Sequence, residues 1–153
     1  MPSALKGGQK AHSLLLKLTQ SATKTNVSVG YFPQDHYPDG TPLAQIASVQ
    51  EYGTTTIPAR PFLRSTIANR QTAWAQQARQ LLQNPDTSPQ KALTTLGQTI
   101  VTDIQTTIDH ITTPPLKPTT ISHKTQHHSP QPQKPLIDTG LLRSSLRSQL
   151  TQE

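Results

Sequence analysis

The 153-residue chain has no cysteine, which excludes disulfides and thiolate metal sites but names no compartment. Aromatic residues make up 4% and charged residues 14%, with a single Trp and a single Met. Thr, Gln, Ser and Pro fill their place. Such a chain suits one domain with a modest core, whose stability is expected to lean on association with other subunits. Long hydrophobic runs are missing too. Leu14-Leu15-Leu16 is the longest near the N-terminus, against the ~20 apolar residues of a membrane span. The start also lacks the apolar region of a secretory signal, so the chain is expected to stay in the cytosol in which it is made. Net charge is +6 and the pI is near 9.9, yet no basic run exists. The 14 Lys and Arg are scattered from Lys6 to Arg147. A diffuse positive field attracts acidic partners or DNA without specificity; the simpler reading is a soluble basic surface.

What is present is helical periodicity with some strand. Ala11, Leu14, Leu15 and Leu18 predict a helix over 8–20. "VSVGYF" (27–32) alternates as a strand, and "PQDHYPDG" reads as a surface loop with a turn. Thr41-Pro42 predicts an N-cap and first-turn proline for a helix to Tyr52, which Gly53 ends. "TTTI" (54–57) reads as a short extended stretch. The prolines of "IPARPFLR" (57–64) forbid regular structure before Pro61. After them, Leu63, Ile67, Trp74, Ala78 and Leu81 predict a helix to about Gln83. Ser88-Pro89 opens a second long helix, marked by Leu93, Leu96, Ile100, Ile104, Ile108 and Ile111. The two form a hairpin packed on the sheet.

Residues 113–135 hold six prolines and little apolar periodicity, and read as an extended or disordered arm, with "TTIS" available as a short edge strand. Leu141, Leu142 and Leu146 suit a short terminal helix, capped by Asp138 or Thr139. The expected fold is therefore α+β: a small antiparallel or mixed sheet packed with a long helical hairpin, plus the Pro-rich arm. Residues 1–112 form the core, 113–135 the arm and 136–153 a docking segment of the same domain.

Asp138-Thr139-Gly140 spells the active-site tripeptide of aspartic proteases, whose two carboxylates share one proton across a cleft. A β-rich fold must brace that loop from downstream, but 13 residues follow Gly140 and the preceding hundred read mostly as helix. The tripeptide is better read as a turn: oxygens of Asp138 and Thr139 accept from backbone N–H groups, and Gly140 supplies the conformation. His123, His127 and His128 have a spacing that could bind metal, but a Pro- and Gln-rich solvated loop is the simpler reading. His36, between Asp35 and Asp39, lacks a third anchored ligand. Asp103 and Asp109 are six apart on the helix and read as solvated or paired with Lys or Arg. Gly7-Gly8 is followed by no GK[ST], so no phosphate loop is expected. No catalytic residue, cofactor or metal is assigned.

Three stretches taken together carry a resemblance: "VGYFPQDHYPDGTPLAQIASVQEYGT" (29–54), "IPARPFLRSTI" (57–67) and "KPLIDTGLLRSSL" (134–146). In this order, separated by a long helical region ending in "PPLKPTTI", they resemble the neck or tail-completion proteins of tailed bacteriophages, related to phage tail-component and virion-morphogenesis proteins. The resemblance spans roughly 27–146. Two departures stand out. The linker containing "HKTQHHSPQPQ" is longer than usual, and in many members the DTG block leads into another strand, whereas here the chain stops soon after it.

The resemblance implies a small, non-enzymatic α+β structural protein of the virion. It would form an oligomeric ring, six copies or alternatively twelve, at the head-tail connector. Its partners would be head-closure or connector proteins and tail terminator or tail tube proteins, and DNA would pass through its channel without specific binding. Arg60 and Arg64 are candidate contacts to the next subunit, with Glu51 as a plausible partner and Tyr52 in the core. Phe62 is an interface candidate whose simpler role, with Leu63, is to bury the start of the helix. Asp138, Thr139, Gly140 and Arg143 complete the candidate interface. The alternative is a small basic DNA-binding or toxin-like protein of a mobile element, although no helix carries clustered Arg and Asn.

Overall fold

A computed structural model describes residues 25–152. The helix expected over 8–20 lies outside the described residues. The fold is α+β, built on a two-stranded antiparallel sheet that joins the two ends of the described chain. β1 (Thr25–Gly30) pairs with β2 (Arg147–Gln152) in a register running from Thr25 opposite Gln152 to Gly30 opposite Arg147. Between them lie α1 (Leu43–Tyr52), α2 (Phe62–Gln83), α3 (Pro89–His110), α4 (Pro118–Gln126) and the single turn α5 (Leu141–Ser144).

The long helices form the expected hairpin. As α2 ascends, its partners on α3 descend: Thr66 bonds Thr107, Arg70 bonds Asp103 and Gln77 bonds Thr99, so the two run antiparallel. Ser88 caps α3 by accepting from the Lys91 N–H at 3.2 Å, with Pro89 in the first turn. The sheet lies on α3 at Gly97. A Cβ there would come within 2.7 Å of the Ser148 Cβ and 2.8 Å of a Val27 methyl, so only glycine permits this approach. Every helix except α4 contributes to one core. Leu43 and Ala47 come from α1, Phe62 from α2, and Ile104 and Ile108 from α3; the C-terminal stretch adds Ile137, Leu142 and Leu146. Phe62, Leu43 and Ile108 are its largest fully buried side chains. Among the described residues no helix is long and apolar enough to cross a membrane.

Local chemistry departs from expectation in several places. Thr41 does not cap α1. Pro42 holds the N-cap position with extended backbone and no side-chain cap. Thr41 instead closes the preceding loop, its N–H donating to Asp39 and its carbonyl accepting from Tyr37. "TTTI" is a turn rather than an extended stretch: the Thr54 N–H donates to the Ile57 carbonyl, and the Thr54 hydroxyl accepts from the Ile57 N–H. β-Propensity lost here to a side chain able to close a local ring.

The segment 113–135 is not an extended arm throughout. Pro118 is tolerated in the first turn of α4, which takes in "TTIS" as helix rather than edge strand. Beyond the DTG block the chain does enter a strand, because Leu146 turns into the core and β2 then completes the sheet. Tyr52 is 66% exposed, not in the core.

Candidate functional site

The start of α2 lacks a cap of its own, since Pro61 occupies the N-cap position and offers no side-chain oxygen. Glu51, at the end of α1, supplies it. Its carboxylate accepts from the Leu63 and Arg64 backbone N–H groups, both at 2.9 Å. A carboxylate at a helix N-terminus satisfies orphan donors and meets the positive end of the helix dipole. Arg64 closes the arrangement, donating from Nε to Glu51 Oε1 at 3.0 Å and from Nη2 to the Glu51 carbonyl at 2.8 Å. Glu51 and Arg64 were both expected to face a neighbouring subunit. They are brought together within this chain, and Glu51 is only 2% exposed. The Arg64 side chain stays half-exposed and lies over the Tyr52 ring at 4.6 Å.

Arg60 and Phe62 point inward. Arg60 is buried, donating from Nε to the Pro114 carbonyl at 2.9 Å and from Nη2 to the Pro115 carbonyl at 3.2 Å. It thereby holds the end of α3 against the α1–α2 turn. Burial lowers its pKa, with no carboxylate bonded to it among the described residues. Lys124, on α4, is the second buried cation. Its ammonium donates to the carbonyls of Ile137 at 2.5 Å, Lys134 at 2.7 Å and Gln131 at 3.5 Å. These three bonds gather the proline-rich loop around one charge and explain why that segment is held. Burial lowers the Lys124 pKa; Asp138 opposes the shift and the nearby Arg60 adds to it. Both cations line a cleft of about 390 Å³, together with Tyr37, Gln50, Asp39 and Asp138. The Gln50 Oε1 is buried there and has no partner among the described residues.

The DTG stretch is a turn, as read, but Asp138 does not cap it. Thr139 Oγ1 accepts from the Leu141 N–H at 3.3 Å. Asp138 contributes its carbonyl, which accepts from Ser129 Oγ at 2.8 Å. Gly140 precedes α5 with φ 86°. Arg143 grips Asp109 of α3 with two bonds, of 2.7 and 2.9 Å. That contact holds the Asp109 carboxyl below the usual carboxylate range; burial opposes the shift, and the charges of Arg143, Lys134 and His110 add to it.

Several contacts were not anticipated. Tyr31 donates to the Leu142 carbonyl at 2.6 Å, and burial, then Tyr37, raise its pKa. Arg147 pairs with Asp35 at 2.6 Å, and α1 begins where the Leu43 N–H donates to the Asp35 carbonyl. Nothing in local periodicity signals pairs more than 110 residues apart. Asp103, read as solvated or paired, bonds both Arg70 and the Trp74 indole N–H. The His123 and His127 rings lie 4.3 Å apart, tilted by 35°. Among the described residues no group of three or more His, Asp or Glu is placed to hold a metal ion.

The surface feature that stands apart is apolar. Tyr52 and Ile67, 66% and 47% exposed, border a groove of about 370 Å³ that Leu63, Ala44 and Tyr31 line and Gly30 of β1 reaches. Comparison with protein-family models, with curated proteins and with solved structures finds no match.

Proposed function

We propose that this chain is a structural subunit of the phage virion, part of the neck that joins the DNA-filled head to the tail. In this reading it forms a ring of six copies, or alternatively twelve, between head-closure proteins and the tail terminator or tail tube. Its role is mechanical, and DNA leaves through the ring without being bound specifically.

The observation that supports this reading is the convergence of the three sequence blocks behind the resemblance. Residues 29–54 supply Leu43 and Ala47, residues 57–67 supply Phe62, and residues 134–146 supply Ile137, Leu142 and Leu146, all to one core. Polar contacts tie the same blocks: Glu51 to the start of α2, and Tyr31 to Leu142. Blocks far apart in sequence therefore act as one packing unit, as a shared fold requires. The small core and the exposed Tyr52–Ile67 groove suit a part that completes its burial against neighbours.

The test is deletion of the gene from the phage that carries it, with complementation from a plasmid. The expected outcome is unjoined heads and tails in electron micrographs without the gene, and joined particles containing the protein when it is restored. Normal joined particles in the deletion, or absence of the protein from purified virions, would overturn the reading. Sequence-selective DNA binding by the purified chain would favour the mobile-element regulator instead.

A further inference from the structure

Among the described residues the sheet has two strands, and neither outer edge is paired. Among the described residues, no hydrogen bond outside the β1–β2 ladder reaches the backbone of Thr25–Gly30 or Arg147–Gln152. Unpaired N–H and C=O rows are templates for another strand, and proteins that stay monomeric blunt them with charges, proline, bulges or a covering segment. Few such devices are present here. β1 has no charged residue and no proline, and β2 has one charge, Arg147, which is held by Asp35. The register runs through all six pairs without a bulge. A two-stranded sheet is also marginal by itself, and a third strand adds cooperative support.

We propose that these edges are the interface between copies of this chain, the β1 edge of one copy pairing antiparallel with the β2 edge of the next. The pleat supports this. Asn26, Ser28, Gln149 and Thr151 are exposed, whereas Val27, Val29, Ser148 and Leu150 are half-buried. An added β1 or β2 strand carries the same alternation, with Asn26, Ser28, Gln149 and Thr151 facing water and Val27, Val29, Ser148 and Leu150 on the inner face. Both edges are six residues long. Head-to-tail pairing occupies two different edges at each contact and, once a ring closes, leaves none bare. Symmetric pairing of β1 with β1 would leave both β2 edges open. The β1 edge also adjoins the exposed apolar groove, since Gly30 lines it. The closed ring rests on the reading above; the strand pairing itself stands on the edges.

The absence of native cysteine makes the test direct. Single variants Asn26→Cys and Ser28→Cys on β1, and Gln149→Cys and Thr151→Cys on β2, place a thiol on the exposed side of the pleat. Each β1 variant is mixed as full-length protein with each β2 variant at high concentration and oxidised, after circular dichroism has shown native folding. Gln71→Cys, on the exposed face of α2, serves as the control. The expected result is a covalent β1-to-β2 dimer at twice the chain mass, strongest in one register and absent with the control. No dimer in any mixture, dimers of β1 variants alone, or equal dimer with Gln71→Cys would overturn the proposal. The two readings fail separately. A protein found in the neck that does not cross-link sinks only the strand interface, whereas a cross-linking protein missing from virions sinks only the neck assignment.

Discussion

Glu51 and Arg64 hold each other by three hydrogen bonds, two to the carboxylate and one to the Glu51 carbonyl. The exposed arginine matters less than the helix start beneath it. Arg64 is half-exposed, whereas the carboxylate is buried and is, among the described residues, the only side-chain acceptor for the first N–H groups of α2. Glu51→Ala is expected to destabilise by about 1–3 kcal/mol, the range for leaving buried donors unpaired. Arg64→Ala leaves the cap in place and removes a half-exposed partner, so it should cost less, about 1 kcal/mol. Urea denaturation of both variants checks the order; equal losses would mean that the ion pair, not the cap, carries the energy.

Lys124 yields a second prediction. Lys124→Met keeps most of the apolar stem but leaves the Ile137 and Lys134 carbonyls without their donor. The expected loss is about 1–3 kcal/mol, concentrated in the loop. Amide exchange across 127–137 should speed up more than exchange in α3. Uniform acceleration would show that the loop and the core open together.

Gly97 tests how the sheet sits on α3. Alanine normally favours a helix interior by about 1 kcal/mol over glycine. Here its methyl would meet the Ser148 Cβ and Val27 at under 3 Å. Gly97→Ala is therefore expected to destabilise by about 1–3 kcal/mol through overpacking. A rise in melting temperature would mean that the strands move aside freely.

Much of this arrangement was legible from local signals. The 22-residue helices α2 and α3 follow from apolar spacing, and Ser88-Pro89 marked the start of the second. Failures occurred where a distant partner decided the outcome. "TPPLKPTTISHKTQ" reads as a loop until Lys124 finds the carbonyls 7–13 residues later that stabilise the loop beyond it. Glu51 was recognised as a partner for arginine, but its capping role needs the fold, because the helix it caps begins 11 residues further on. β2 was missed since "RSQLTQ" has one apolar residue and becomes a strand only by pairing with β1, more than 115 residues away.

The Arg143–Asp109 pair gives a pH dependence. The folded Asp109 pKa lies below the unfolded value of about 3.9. Its contribution is therefore complete above that unfolded value and is lost as pH falls through the folded one. Both side chains are about one-third exposed or more, so the gain is about 1 kcal/mol or less. The melting-temperature gap between the parent chain and Asp109→Asn should stay constant above about pH 5 and shrink below it. A gap that persists to pH 2 would show that it comes from packing rather than charge.

Asp138 separates a turn from a catalytic site. Its side chain accepts no hydrogen bond from the described residues; its carbonyl accepts from Ser129, and its charge acts on Lys124. Asp138 is exposed, and its charge near Lys124 is the remaining favourable contact, so Asp138→Asn and Asp138→Ala should each cost no more than about 1 kcal/mol. Gly140→Val is the contrasting variant. No atom crowds a Cβ there, so any loss reports the backbone conformation alone. A β-branched residue forced to φ 86° should cost about 1–3 kcal/mol. Under the neck proposal, both Asp138 variants are expected to restore joined particles to a phage lacking the gene. A protease would behave otherwise, because neither Asn nor Ala can share the catalytic proton. Loss of infectivity with Asp138→Asn, in a protein of unchanged stability that still enters the particle, would overturn the structural reading of this turn.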